Sequence, residues 1–135
     1  MSILQTRVAP GRSLDDLTHC SDADLGSPMW WACLARSLDA LGEELVSADT
    51  QGLVAQIITD APQYAASANL LTTMDTRLRV DVIDLRHLVA ELSGSATGAD
   101  QVRDQVADLV HRVRTLDRAS RRLLVEAYGR DLGGE

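Results

Sequence analysis

The residues best suited to chemistry in this sequence form two matching tetrads, each with an aspartate three positions before a histidine. They read Asp84-Leu-Arg-His87 and Asp108-Leu-Val-His111. Residues three apart lie on the same side of a helix, so each tetrad can present a carboxylate and an imidazole together. A pair of such motifs on two facing helices is typical of di-iron carboxylate bundles. A metal site is therefore the first chemical possibility to consider.

The helical phase of both tetrads predicts that their histidines face solvent. Leu85 marks the centre of the apolar stripe in the first helix, and Val113 marks it in the second. At ~100° per residue, His87 and His111 each lie about 160° from those centres. A metal inside a helical protein needs ligands that point inward. The sequence therefore predicts no metal-binding residue and no cofactor, with iron kept as the alternative.

Asp117 is a charged residue that lies close to an apolar stripe. It follows Leu116 and lies about 40° from the centre of the last helix's inward face. An inward carboxylate needs a partner, and Arg121 is one turn away, so we expect a structural ion pair. Two alternatives stay open. One is a pocket near Asp117 for a small ligand or a non-metal enzyme, and the other is an unorthodox iron or oxygen site using Asp75, Asp117 and a histidine.

Arginines occur together on one flank of the last helix, although the chain as a whole is acidic. The four are Arg114, Arg118, Arg121 and Arg122. Such a stripe can dock a phosphate or an acidic partner segment. It can equally pair with carboxylates of the same chain. Five residues are therefore named as possible partner or ligand contacts: Trp30, Arg114, Asp117, Arg118 and Arg121.

The two tryptophans are predicted to have different surroundings. With Leu38 as the centre of the first helix's stripe, Trp31 lies about 20° away and Trp30 about 80° away. Trp31 should be buried, and Trp30 should lie at the edge of the packed face. Trp30 would there cover a neighbouring helix or the N-terminal arm, or anchor a partner or a second copy of the chain.

The two cysteines offer no catalytic dyad. Cys33 lies off the inward stripe of its helix, and adjacency to His19 does not orient a base toward the Cys20 thiol. We expect structural or incidental roles for both, and two cysteines are too few for a disulfide framework. The sequence also lacks a phosphate-binding loop and zinc-ligand spacing.

Composition limits both the fold and the partners. The 135 residues suit one domain, and with 3% aromatics and no Phe the core must consist of Leu, Val, Ile and Ala. A formal charge of −7 argues against nucleic acid or an anionic membrane as the main partner. No apolar run approaches the ~20 residues of a membrane span, and the N-terminus does not resemble a secretion signal. We expect a cytoplasmic protein.

One long helix organises the chain. Between Asn69 and Leu92, apolar residues recur at intervals of three and four: Leu71, Met74, Leu78, Val82, Leu85, Val89 and Leu92. They form one stripe that other helices must cover. The helix is predicted to begin between Pro62 and Asn69.

Three further helices are predicted from their end signals. The first begins at Ser27-Pro28, an N-cap followed by proline at the first helical position. A shorter helix is capped by Asp49 and ends at Asp60-Ala61-Pro62. A loop with Gly94 and Gly98 precedes the last helix, expected from about Ala99 to Tyr128.

These elements predict an all-α protein, an up-and-down four-helix bundle of three long helices and one short one. The bundle domain would span residues 27–135. Residues 1–26 show no hydrophobic period and are predicted to form an irregular N-terminal arm.

Three segments resemble small actinobacterial hemerythrin-like proteins, together covering roughly residues 28–135. They are Trp31-Ala-Cys-Leu-Ala-Arg-Ser-Leu-Asp-Ala-Leu, Gly52-Leu-Val-Ala-Gln-Ile-Ile-Thr-Asp-Ala-Pro62 and Glu126-Ala-Tyr-Gly-Arg-Asp-Leu-Gly-Gly134. The resemblance implies a four-helix bundle. In that family the bundle can hold two irons, chiefly through inward histidines and carboxylates.

The chain departs from the family pattern at two ligand positions. It has Met74-Asp75 where the relatives carry a Glu-His pair, and Leu116 where they carry a histidine. The resemblance therefore implies the fold without the metal site. We expect a metal-free bundle that acts as a binding or regulatory module, through a protein partner or self-association. The alternatives are an iron or other metal protein for oxygen or iron sensing or storage, and a small-ligand-binding bundle.

Overall fold

The structure, a computed structural model, describes residues 11–20 and 24–133, and these ranges contain helices and no strand. The α-helices are α1 (Gly11–Cys20), α2 (Pro28–Ser47), α3 (Thr50–Asp60), α4 (Ala65–Leu92) and α5 (Ala96–Gly133). A short 3₁₀ turn, Pro62–Tyr64, lies between α3 and α4. The all-α class predicted from the sequence is confirmed.

Helix α1 lies where the sequence predicted an irregular arm, and over residues 11–20 that prediction is wrong. Leu14, Leu17 and Cys20 are buried at intervals of three. The helix packs on α2 and α5. Ten residues are too few for an apolar period to stand out, so only the tertiary contacts show the helix. Residues 1–10 and 21–23 of the predicted arm lie outside the described residues.

The ends of α2 and α3 agree with their predicted signals. The side chain of Ser27 accepts a hydrogen bond from the amide of Trp30 at 3.1 Å, and proline follows as the first helical residue. Asp49 accepts from the amide of Gly52 at 3.2 Å. Helix α3 ends at Asp60, as expected.

Helix α4 begins at Ala65, inside the predicted window, and buries most of the predicted stripe. Met74 and Leu92 are only partly buried. The fully buried residue beside Met74 is Asp75. The stripe therefore contains a carboxylate that the apolar pattern did not include.

Helix α5 begins at Ala96, three residues earlier than expected, and continues past Tyr128 to Gly133. The hydroxyl of Ser95 accepts a hydrogen bond from the amide of Gly98 at 3.1 Å, which caps the first turn. Gly98 therefore belongs to the helix, and the loop is reduced to residues 93–95.

The long helices pack in antiparallel pairs. Arg86 of α4 pairs with Asp39 of α2, whereas Arg79, earlier in α4, reaches the carbonyl of Leu45, later in α2. The short loop joins α4 to α5, and Asp81 pairs with Arg112 across them. Helix α4 contacts α2, α3 and α5, so it lies at the centre of the packing.

Candidate functional site

The tetrads are split by the fold, with their aspartates and histidines on different surfaces. His87 and His111 are exposed, as their helical phase predicted. Asp84 and Asp108 instead line a cleft between α4 and α5, together with Asp81. Within residues 11–20 and 24–133, no group of three or more histidine, cysteine, aspartate or glutamate side chains is placed to hold a metal.

The one carboxylate at the centre of the core faces a cation that belongs to the chain itself. Asp75 has 1% of its side chain exposed, and its Oδ2 lies 2.9 Å from Nε of Arg79. The two atoms are close without hydrogen-bond alignment, so the contact is an ion pair. Leu116, where the hemerythrin-like resemblance implies a ligand position, is buried and apolar. These residues do not fit a di-iron centre.

Arg79 also joins α4 to the end of α2. Its Nη2 donates to the carbonyl of Leu45 at 3.1 Å, in the last turn of that helix. A cation at a helix C-terminus is favoured by the helix dipole and by the unpaired terminal carbonyls. The pair therefore fixes the α2–α3 corner against α4, which is a structural role.

A second cleft between α4 and α5 combines an apolar floor with basic walls. This cationic cleft has a volume of about 210 Å³. The residues that line it are Met74, Arg77, Leu78, His111, Arg112 and Thr115. The floor is apolar because α4 turns Met74 and Leu78 toward α5. This cleft was not predicted, because its walls come from helices far apart in sequence.

The two arginines that line the cationic cleft differ in whether a carboxylate of the same chain pairs with them. Arg112 pairs with Asp81 and Asp108, and the hydrogen bond to Asp81 raises the pKa of its guanidinium. Its charge is therefore matched inside the chain. Arg77 forms no ion pair with any described residue and is exposed at the cleft wall.

The arginine stripe of α5 divides into paired and unpaired members. Arg121 pairs with Asp117 at 2.9 Å, and Arg122 lies 4.0 Å from Glu126. Arg114 and Arg118 are exposed and form no ion pair within the described part of the chain. Arg114 and Arg118 follow His111 by three and seven residues, so they lie on the same side of α5 as His111, next to the residues that line the cleft.

Asp117 forms the predicted ion pair at the edge of the core. Its side chain is 24% exposed, and one oxygen is held by Arg121. The other oxygen, Oδ1, is buried without a hydrogen-bond partner among the described residues. Asp117 lines neither of the two α4–α5 clefts.

Trp30 is fully buried rather than at the edge of the packed face, and of the predicted alternatives the structure agrees with cover by the N-terminal segment. Trp30 is 1% exposed, Trp31 is 4% exposed as predicted, and their rings meet edge to face with centroids 4.8 Å apart. Trp30 shares a helical face with Ser37, two turns later, and Ser37 contacts Cys20 of α1. Helix α1 therefore covers this face, and Trp30 is not available to a partner in the folded chain.

The two cysteines are joined in a disulfide that ties α1 to α2. Cys20 and Cys33 are thirteen positions apart, with Cα atoms 5.8 Å apart. They have a structural role, as expected, but as a covalent bond that the sequence analysis did not predict. Because residues 11–20 form a helix that packs on α2, Cys20 lies next to Cys33.

Charge is strongly segregated along the sequence. Residues 61–80 and 109–125 contain seven of the 13 arginines and two of the 20 acidic residues, a formal charge of +5. The rest of the chain therefore carries −12. Because α4 and α5 are antiparallel neighbours, the two basic segments meet around the cationic cleft. This asymmetry was visible in the sequence and would have identified Arg77.

No protein-family model, curated protein or solved structure matches this chain. Function must therefore be argued from the residues themselves. None of the described helices is long and apolar enough to cross a lipid bilayer.

Proposed function

We propose that this chain is an up-and-down bundle of the hemerythrin-like type that acts as a metal-free protein-interaction module. Two antiparallel pairs, α2 with α4 and α4 with α5, support the topology. Contacts of α1 with both α2 and α5 complete a ring of four neighbouring helices, on which α3 packs. The bundle predicted from the sequence had α3, and not α1, as its fourth helix.

The cationic cleft is the proposed binding site, and its partner is an acidic amphipathic segment of another protein. The observation that carries this proposal is an apolar floor with exposed arginines that form no ion pair with a described residue: Arg77 lines the cleft, and Arg114 and Arg118 lie on the same side of α5 as His111. Arginine binds carboxylates through planar, two-pronged hydrogen bonds. A leucine or methionine of the partner would enter between Met74 and Leu78, and its carboxylates would meet the arginines.

The size of the cleft favours a side chain over a free small ligand. Pockets for small molecules occupy about 300–1,000 Å³, whereas this one measures about 210 Å³. Nucleic acid is disfavoured because the chain carries −7 overall, so its field repels a polyanion at long range. A short acidic peptide interacts mainly with the local cations, since charges beyond about 10 Å are screened at ordinary salt.

The test is binding of a labelled amphipathic peptide with Glu on one helical face and Leu on the other, followed by fluorescence anisotropy. Binding should weaken with added salt, and the variant Arg77→Glu/Arg114→Glu/Arg118→Glu should bind at least about tenfold more weakly. A peptide with Ser in place of Leu should also lose affinity, because nothing would fill the apolar floor.

A matched control reverses three arginines outside the cleft: Arg12, Arg36 and Arg103 are all exposed. This triple Arg→Glu variant has the same net charge as the cleft variant and should retain affinity within about threefold. Equal loss in both variants would mean that only net charge matters. Undiminished binding by the cleft variant would remove the proposed site.

The metal-free part of the proposal has its own test. Elemental analysis of the purified protein should find iron far below one atom per chain. Iron near stoichiometry, with visible absorption that oxygen perturbs, would instead support the iron-protein alternative.

A further inference from the structure

The groove between α2 and α4 lies on a face that no described helix covers. Its volume is about 780 Å³, and Gly42 and Val82 lie within it. Large apolar side chains are unusually exposed here: Val46 is 63% exposed, Ile83 56% and the nearby Val80 51%. Single exposed apolar residues are ordinary, whereas a cluster on one face is typical of an interaction surface.

The two walls of this groove carry opposite charges. The α2 wall presents Asp39 and Glu43, and the α4 wall presents Arg79, Arg86 and His87. Asp39 already pairs with Arg86 at 2.9 Å, but both remain partly exposed. Glu43 is exposed and forms no ion pair among the described residues. A face with one acidic row and one basic row can complement itself.

The contacts between α2 and α4 show which residues lie at the same level along the groove. Asp39 is level with Arg86, and Leu45 is level with Arg79. Because α2 and α4 are antiparallel, Val46, one residue on, is level with residues 78–80 of α4, and Gly42 is level with Val82. The acidic end of α2 lies beside the basic end of α4, and its apolar end lies beside the exposed apolar residues of α4.

We propose that this face is an interface between two copies of the chain, related by a two-fold axis parallel to α2 and α4. That axis places α2 of one copy over α4 of the other at the same level. Asp39 then meets Arg86 of the second copy, Val46 meets Val80, and Ile83 lies near Gly42. A two-fold axis across the helices would stack α2 on α2 in the reverse direction, so Asp39 and Glu43 would face each other or Val46 and neither would meet an arginine. The charge pattern selects the first arrangement.

The area of the face predicts a weak dimer. Helix α2 has 20 residues, about 30 Å in length, and two adjacent helices are about 20 Å wide. The contact therefore covers about 600 Å² per copy, below the ~800 Å² of a standard stable interface. The expected dissociation constant is micromolar. Helix α5 takes no part, so the cationic cleft stays open in the dimer and the two proposals can fail separately.

The first test is sedimentation velocity of the whole chain from about 5 µM to about 500 µM, a range that brackets a micromolar dimer. The parent should change from monomer to dimer across this range. Val46→Glu should remain monomeric throughout. Val125→Glu is the matched control, because Val125 on α5 is 64% exposed and lies off the face. It should dimerise like the parent, with circular dichroism confirming that both variants are folded.

The second test uses charge and does not depend on the apolar residues. Asp39→Arg/Glu43→Arg makes both rows basic, and Arg86→Glu/His87→Glu makes the α4 row acidic while leaving the Asp75–Arg79 pair in place. Each variant alone should be monomeric, and their equimolar mixture should form a heterodimer. A parent that is monomeric at every concentration, or a mixture that does not associate, overturns the proposal and leaves the face to a different protein.

Discussion

Arg79 places its Nε atom 2.9 Å from the buried carboxylate of Asp75, one turn earlier on α4. The two partners differ in their access to water, because the Arg79 side chain is 30% exposed and the Asp75 side chain 1%. Removing the arginine would leave a buried carboxylate without a counter-charge. Removing the aspartate would leave an arginine that can still reach solvent and the carbonyl of Leu45.

This asymmetry predicts unequal effects of two single substitutions. Arg79→Met should lower the free energy of unfolding by about 3–5 kcal/mol, because an unpaired buried charge is costly. Asp75→Leu should cost less, and Asp75→Leu/Arg79→Met should be more stable than Arg79→Met alone. Urea titration measures all three. Arg103→Met, in an exposed pair, should change stability by less than about 1 kcal/mol. A similarly small change for Arg79→Met would mean that the Asp75–Arg79 pair does not persist in solution.

Helix positions were largely predictable because the signals for them are local. Ser27-Pro28 and Asp49 mark helix starts through hydrogen bonds within one turn. The stripe of α4 was also readable, since apolar spacing reports directly which side is buried. Asp75 follows Leu71 by four residues and precedes Leu78 by three, which is the spacing of an inward residue. It was left out of the predicted stripe only because its side chain is charged.

Features that depend on distant contacts were not predictable in the same way. Helix α1 is short, and its burial of Trp30 depends on where α1 packs rather than on the phase of α2. The Cys20–Cys33 bond depends on the same docking. The cationic cleft joins Arg77 to a wall of α5 more than thirty residues away in sequence. A periodicity argument describes one helix at a time and cannot supply such pairings.

Substitutions on the two faces of α4 are predicted to have very different effects on stability. Leu85 is 4% exposed, whereas His87 faces solvent. Leu85→Asp should unfold the domain, because a carboxylate in the packed interior costs several kcal/mol. His87→Ala should change stability by no more than about 0.5 kcal/mol. If His87→Ala is the more damaging in a denaturant titration, the inward face of α4 has been assigned wrongly.

The disulfide predicts a stability that depends on redox conditions. It closes a loop of thirteen positions, and loops near this length typically contribute about 3 kcal/mol when cross-linked. Reduction of the parent should therefore lower its unfolding midpoint in urea. The variant Cys20→Ala/Cys33→Ala should be less stable than the oxidised parent and insensitive to reductant. Two free thiols in the unfolded, unreduced parent would contradict the bond.

The same bond bears on the expected cytoplasmic location. Disulfides persist mainly in oxidising compartments, so the bond and the expected cytoplasmic location predict different thiol states in the cell. Thiol trapping in intact cells, before lysis, distinguishes a cytoplasmic location from an oxidising compartment. A trapped, reduced pair is the expected result for a cytoplasmic protein, and a protected pair is the expected result for an oxidising compartment.

A hydrogen bond between the ends of α3 and α5 predicts a loss of stability in alkali. The hydroxyl of Tyr128 donates to Oδ2 of Asp60 at 2.9 Å. Partial burial and this bond raise the pKa of Tyr128 from 10.0 to about 12. The unfolded chain therefore loses the phenol proton at lower pH than the folded chain, so stability is retained below pH 10 and falls as pH rises toward 12. The effect should be about 1 kcal/mol or less, because the pair is partly solvated.

Composition makes this alkaline effect unusually easy to isolate. All 13 basic residues are arginine, and the chain has only two tyrosines. With both cysteines bonded, tyrosines are the side chains that titrate between about pH 9 and 12. Urea titrations across that range should show a fall in the free energy of unfolding that Tyr128→Phe largely removes. Tyr64→Phe is the matched control, since the Tyr64 hydroxyl makes no hydrogen bond to a described residue, and it should keep the fall. An equal alkaline loss in Tyr128→Phe and the parent would show that the bond to Asp60 does not persist in solution.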